Sequence, residues 1–132
     1  MRLQDVHTKG IRFIHANKEC LEYLTRQLFD PEVICHEGHQ VCPRLSDVIR
    51  YMERNFEREE VLIRLSGYSA YQEHKNDHSD LLRRLKNIQK RNKCSEYDNV
   101  AVANEISAWL KRHTAEFDHD FIEFWSGLYA SN

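Results

Sequence analysis

The sequence predicts an all-α protein, an antiparallel up-down-up-down four-helix bundle formed by residues 1–132 as one domain. Three observations carry that expectation. Only four Gly and two Pro occur in 132 residues, and β-branched runs are scarce, a composition that favours helices over a sandwich or barrel. Apolar residues recur at alternating steps of three and four along four separate stretches, the period of a helix with one buried face. The third of these stretches carries His74 and His78 within its apolar stripe, one helical turn apart and on one side.

The first helix is expected over about 11–29, after Gly10. Its stripe is Ile11, Ile14, Lys18, Leu21, Thr25 and Leu28, widened by Leu24. Lys18 interrupts an otherwise mostly apolar face. A buried ammonium needs a carboxylate partner or loses its proton, unless the side chain snorkels from the stripe edge to water. His15 lies one turn earlier, on the flank. Asp30-Pro31 ends the helix, because Pro cannot continue it and disfavours helix at the preceding residue.

The connection over about 30–44 contains Cys35, His36, His39 and Cys42, a group with zinc-capable chemistry but without the spacing of a standard zinc knuckle. The second helix is expected from Leu45 to Ser66, stopped by Gly67. Its stripe of Leu45, Val48, Met52, Asn55, Glu59 and Leu62 puts an amide and a carboxylate at consecutive inward positions, with Glu60 as the solvated neighbour. An inward carboxylate serves as an ion-pair partner or a metal ligand. The short link 67–69 makes the next helix antiparallel.

The third helix, about 70–91, has the stripe Tyr71, His74, His78, Leu81, Leu85 and Ile88, and a basic outer face. The fourth, about Val100 to Gly127, lines one face with Ile106, Leu110, His113, Phe117, Phe121 and Phe124, flanked by Trp109 and Trp125. Asp118 follows His113 by five residues, about 140° around an ideal helix. The two share a ligand only if Asp118 reaches in from the flank or the helix is locally overwound.

Each apolar seam is thus broken at polar positions: Lys18, then Asn55 and Glu59, then His74 and His78, then His113 and Asp118. Matching defects on four facing helices suggest that they meet. Three imidazoles with Glu59 and Asp118 form a nitrogen and oxygen donor set suited to iron, manganese or zinc; a metal-free network of buried polar groups is the alternative. No nucleophile–base pair or glycine-rich phosphate loop is visible. Lys plus Arg number 19 against 21 Asp plus Glu, which argues against nucleic acid as a partner. No apolar run approaches the ~18 residues of a membrane span. The N-terminus lacks the apolar stretch of a signal peptide, so the four cysteines read as reduced thiols of a cytoplasmic protein.

The chain resembles the bacterial haemerythrins, oxygen-binding non-haem di-iron bundles, over nearly its whole length. Gly10-Ile11-Arg12-Phe13-Ile14 followed by Leu21 is similar to the family's opening of helix one. Asn55-Phe56-Glu57-Arg58-Glu59-Glu60 resembles its His-Phe-x-x-Glu-Glu motif. Gly67-Tyr68, then His74 and His78, resemble its Gly-Tyr-Pro and His-x-x-x-His; Trp109-Leu110 with His113 and Asp118 resemble Trp-Leu-x-x-His-x-x-x-x-Asp. The resemblance implies one iron held by His74, His78 and His113, with Glu59 and Asp118 as carboxylates bridging to a second. The second iron's two histidines are replaced here by Lys18 and Asn55, and His15 is one turn off. Three expectations follow for that region. Lys18 stands in for the missing cation by pairing with Glu59 and Asp118 while Asn55 hydrogen-bonds to one of them, or His15 restores a second site, or the chain is metal-free. The function implied is binding or sensing of oxygen, another diatomic or a peroxide at a non-haem site of one or two irons, as a ligand-binding or sensor module more than an enzyme. The alternatives are a conventional di-iron oxygen binder, a small iron-dependent peroxidase and a metal-free interaction scaffold. A protein partner or an appended signalling domain is the further expectation for a sensor.

Overall fold

The computed structural model describes residues 3–28, 43–91 and 96–129. Among them, α1 spans Leu3–Gln27, α2 Pro43–Leu65, α3 Tyr71–Arg91 and α4 Glu96–His113. A π-helical turn over Thr114–Asp118 continues α4 into α5, His119–Tyr129, so α4 and α5 together form the fourth rod. Neighbours in sequence pack on one another and the fourth rod closes against α1, giving an all-α four-helix bundle with no strand among the described residues. No described helix is long and apolar enough to cross a membrane.

The stripes read from the sequence face inward: Ile14, Leu21, Leu28, Leu45, Val48, Met52, Leu81, Leu85, Ile106, Leu110 and Phe121 are all buried. The residues at the outer ends of the stripes, among them Ile11, Leu62, Tyr71 and Ile88, are half-buried. α2 ends as its sequence requires. Gly67 adopts a φ of +79°, a left-handed conformation that costs glycine nothing, and its N–H donates to the Arg64 carbonyl at 3.1 Å.

Helix α1 begins at Leu3, eight residues before the expected start. Gly10 is therefore a buried interior residue and not a boundary. The reason lies across the bundle. A Cβ at Gly10 would sit 2.6 Å from the Trp125 indole, whose Nε1–H donates to the His7 carbonyl at 3.0 Å. The glycine gives that ring room at the junction of the first and last helices.

The apolar core falls into two clusters. One gathers Leu21, Leu28, Met52, Phe56, Leu81, Leu85, Trp109 and Leu110 with their neighbours. The other gathers Ile14, Ile63, Phe121 and Trp125. On every rod the switch between clusters occurs at the polar positions. It lies between Ile14 and Leu21 on α1, Phe56 and Ile63 on α2, Tyr71 and Leu81 on α3, and Leu110 and Phe121 on the fourth rod. A polar layer of Asn55, Glu59, His74, His78, His113 and Asp118, all buried, thus crosses the bundle between two apolar halves.

Candidate metal centre

The layer is built from three rods. His74 and His78 project from successive turns of α3, Glu59 from α2 and His113 from the end of α4. Ligand-capable atoms of Glu59, His74, His78 and His113 all lie within 4.8 Å of one another. Donors about 2.1 Å from a common ion stand roughly 3 to 4 Å apart. The contacts match: His78 Nε2 is 3.1 Å from His113 Nε2 and 3.5 Å from Glu59 Oε1.

Asp118 joins through the π turn. In such a turn the i→i+5 pattern brings residue i+5 back over residue i. The local change is a widening of the helix, opposite in sense to local overwinding, which is one of the two routes the spacing leaves open beside a reach from the flank. It sets Asp118 Oδ1 3.1 Å from His113 Nε2 and 3.3 Å from His74 Nε2. The five residues His74, His78, His113, Glu59 and Asp118 are therefore brought together.

Their orientation is fixed from behind. His78 Nδ1 donates to Glu60 Oε2 at 2.9 Å, and His113 Nδ1 donates to Asp77 Oδ2 at 2.7 Å. A carboxylate on Nδ1 keeps the proton there and turns the Nε2 lone pair inward, as in metal-ligating histidines. Asp77 is held in turn by Arg112 at 2.7 Å. Aromatic planes clamp the rings: Phe56 stacks on His78 at 3.9 Å, and Trp109 stacks on His113 at 4.3 Å. Glu60, expected as a solvated neighbour, is a half-buried partner of His78. Asp77 was not singled out by the sequence pattern. The available signal was position: each acid is the immediate chain neighbour of an inward residue, Glu60 of Glu59 and Asp77 of His78.

The metal-free cluster is electrostatically strained. Burial, then repulsion from Asp118, pushes the Glu59 carboxyl up to about 8. Burial works against charge on His113, but hydrogen bonds to Asp118 and Asp77 outweigh it and raise this imidazole to about 9. Burial lowers His74, and burial together with charge on His113 lowers His78 further. Asp118 is held below the usual carboxylate range because hydrogen bonds with His113 and His74 exceed the cost of its burial. His74 Nδ1 is buried without a hydrogen-bond partner, and the contact of His74 Nε2 with Asp118 Oδ1, at 3.3 Å, is poorly aligned. Buried polar atoms left unpaired in this way cost on the order of 1–3 kcal/mol each. A cation among the five side chains would engage Asp118 Oδ1 and one ring nitrogen of His74 at once. The buried histidine and glutamate cluster can hold a metal ion.

The residues expected to shape a second position are placed differently. Lys18 does not pair with Glu59 or Asp118; its ammonium reaches Glu22 at 3.7 Å, and its side chain is 35% exposed. The snorkelling conformation prevails because α1 offers it water and a carboxylate one turn on. His15 is exposed on α1 and does not join the cluster. Asn55 is buried, but its Nδ2 makes no hydrogen bond. The amide that reaches the carboxylates belongs instead to Asn17, whose Nδ2 donates to Glu59 Oε2 at 3.2 Å. Asn17, Lys18, Tyr51 and Asn55 border a cavity beside Glu59 and Asp118 with a free volume of about 20 Å³, room for about one water-sized group. Cys35, His36, His39 and Cys42 lie outside the described residues. A further trio, His119, Asp120 and Glu123, is exposed on α5, with contacts of 3.6 Å among its own members.

No protein-family model, curated protein or solved structure matches the chain.

Proposed function

We propose that the chain is a haemerythrin-like non-haem iron module with a single metal ion, which binds or senses oxygen or a related small ligand. The observation that supports this most is the inward convergence of three buried imidazoles, two of them pinned through Nδ1 by carboxylates, around Glu59 and Asp118. Histidine with carboxylate is a donor set that suits iron, with zinc and manganese chemically close. Bound there, iron supplies an exchangeable coordination position and a redox couple.

The chain's own residues do the rest. His74, His78 and His113 offer neutral nitrogen donors once His113 gives up its proton. Glu59 and Asp118 supply the negative charge that balances a cation in a water-poor layer. The two apolar clusters on either side exclude bulk water. The cavity bordered by Asn17 and Asn55 has room for about one water-sized group next to the donors. A second metal position finds one amide on Glu59 and another amide nearby, and no further imidazole among the described residues.

Metal content per chain tests this reading, measured by elemental analysis on untagged protein purified without added metal. Near one iron per chain is the expected result. Near two supports conventional di-iron oxygen binding, and none supports a metal-free scaffold. Replacing Lys18 and Asn55 together by histidine sharpens the test. On the single-metal reading, stoichiometry rises from one to two.

A further inference from the structure

The cavity beside Glu59 and Asp118 is small, but the polar groups on its wall are incompletely matched. Among the described residues, seven buried side-chain nitrogen and oxygen atoms lack a well-aligned hydrogen-bond partner. Three of them belong to residues on this wall: Nδ2 of Asn55, Nε1 of Trp109 and Oδ1 of Asp118. These side chains come from α2, α4 and the π turn. Asn55 and Trp109 are only 7% and 3% exposed, so bulk water does not serve their N–H groups. The Tyr51 hydroxyl stands near Asn55, but no well-aligned bond reaches the Nδ2. An ionised carboxylate offers about four acceptor positions, so Glu59 keeps spare capacity after the bond it receives from Asn17.

Size and chemistry together narrow the occupant. The free volume of about 20 Å³ exceeds the roughly 10–15 Å³ that one water requires, and cavities that hold water offer it two to four polar partners. A cation here would meet the positive ends of two N–H groups. A halide would meet the carboxylates of Glu59 and Asp118. Dioxygen accepts hydrogen bonds weakly and donates none. A water accepts two and donates two, which matches two N–H donors against two carboxylates. Each carboxylate has oxygen enough for a cation on one side and a water on the other.

We propose that this cavity is a binding site for one amphiprotic, water-sized ligand. In the isolated protein the ligand is a resident water, which accepts hydrogen bonds from Asn55 and Trp109 and donates to Glu59 and Asp118. The proposal rests on the cavity wall alone and holds with or without a metal in the donor layer. The water joins α2, α4 and the π turn where no side chain of the described residues does so. Because it lies next to the donors, a ligand that enters from this side must displace it. A ligand that cannot both give and take hydrogen bonds loses affinity in that exchange. The same N–H groups that hold the water disfavour a second cation.

The test is a crystal structure of the full chain with its native metal content, from crystals grown without halide and from crystals soaked in bromide. Anomalous data identify metal and bromide. The expected result in both crystals is one non-anomalous peak about 2.7–3.2 Å from Asn55 Nδ2, from Trp109 Nε1 and from an oxygen of Glu59 or Asp118. Asn55→Leu replaces the amide by an apolar group of similar size. In that variant the peak should weaken or vanish while the five donors superpose on those of the parent, which separates loss of a ligand contact from loss of fold. An empty cavity, a bromide peak or a metal peak at that point would overturn the proposal, as would an unchanged peak in Asn55→Leu. The donor layer is read in the same maps. A water in the cavity with no metal among the donors removes the single-metal reading and leaves this one, and a metal among the donors beside an empty cavity does the reverse.

Discussion

The two sides of the polar layer are made from the same bundle and yet differ in what they can hold. On the side of α3 and the fourth rod, every donor is an imidazole or carboxylate, and His78 and His113 are each fixed by a carboxylate behind the ring and an aromatic plane against it. On the side of α1 and α2, the corresponding positions carry the amides of Asn17 and Asn55 and a lysine that leaves for the surface. The first side is costly without a cation, since its three buried imidazoles and Asp118 are left to share protons with Glu59 of α2. The second is nearly neutral and holds a water-sized cavity. One apolar scaffold thus tolerates both a metal-ready and a metal-silent arrangement, because the stability of the rods comes from the two apolar clusters and not from the layer between them.

The sharpest way to break this contrast is to remove a donor from the metal-ready side. His113→Ala takes away an imidazole that contacts His78 and Asp118 together. Iron or zinc affinity should fall by well over about 100-fold, more than the loss caused by an outer partner. Metal retained after gel filtration measures it. Equal retention by wild type and variant would show that the metal sits elsewhere.

Next in size is the support behind that imidazole. Asp77→Asn keeps the shape but replaces the charged acceptor that holds the His113 Nδ1 proton. Affinity should drop about 10- to 100-fold by competitive chelator titration, with the helical content unchanged. Asp77 and Glu60 also show where sequence reading stopped. The four rods, the inward stripes and the five converging donors were legible, because periodicity of 3.6 residues reports which face is buried. Which acid supports which ring depends on side-chain direction across different helices, and periodicity carries no such information. The π turn was hidden for a related reason. The His113 to Asp118 spacing signalled a conflict with an ideal helix, but the conflict has several geometric solutions, and periodicity does not choose among them. Gly10 misled for the opposite reason: a glycine required by the Trp125 indole looks, in sequence, like a helix boundary.

The third expected effect separates the metal-free and metal-bound states by pH. Glu59 is raised to about 8 and His113 to about 9 in the metal-free fold, so each retains a proton that the unfolded chain releases at lower pH. Raised groups stabilise fully below their unfolded values and lose that contribution as pH rises through the folded ones. The lowered His74 and His78 are neutral in both states above their unfolded value of about 6.5, so they add no slope there. The metal-free protein should therefore melt at progressively lower temperature from about pH 6.5 to pH 9. Metal binding must displace the same protons, so affinity should rise with pH, by up to about tenfold per unit for each proton released. A metal-free melting temperature that climbs over this range would mean that the layer is not protonated as its geometry requires.

The smallest effect is expected on the metal-silent side, and it decides whether that side has a role in setting the layer's charge. Asn17 donates a hydrogen bond to Glu59 Oε2 from a neighbouring helix. This bond favours the ionised carboxylate and partly offsets burial and the repulsion of Asp118. Asn17→Ala removes it while leaving all five donors in place. Glu59 then holds its proton to higher pH, and a metal must compete with that proton more strongly. A hydrogen bond to a charged group is worth about 1.5–3 kcal/mol at most, and Asn17 is half-buried, so a loss of roughly 3- to 10-fold in metal affinity at pH 7 is expected. The loss should shrink above pH 9, where Glu59 is ionised in both proteins. A pH-independent loss would instead mean that Asn17 positions the glutamate sterically. No loss at all would mean that the amide belongs to the cavity and not to the metal site.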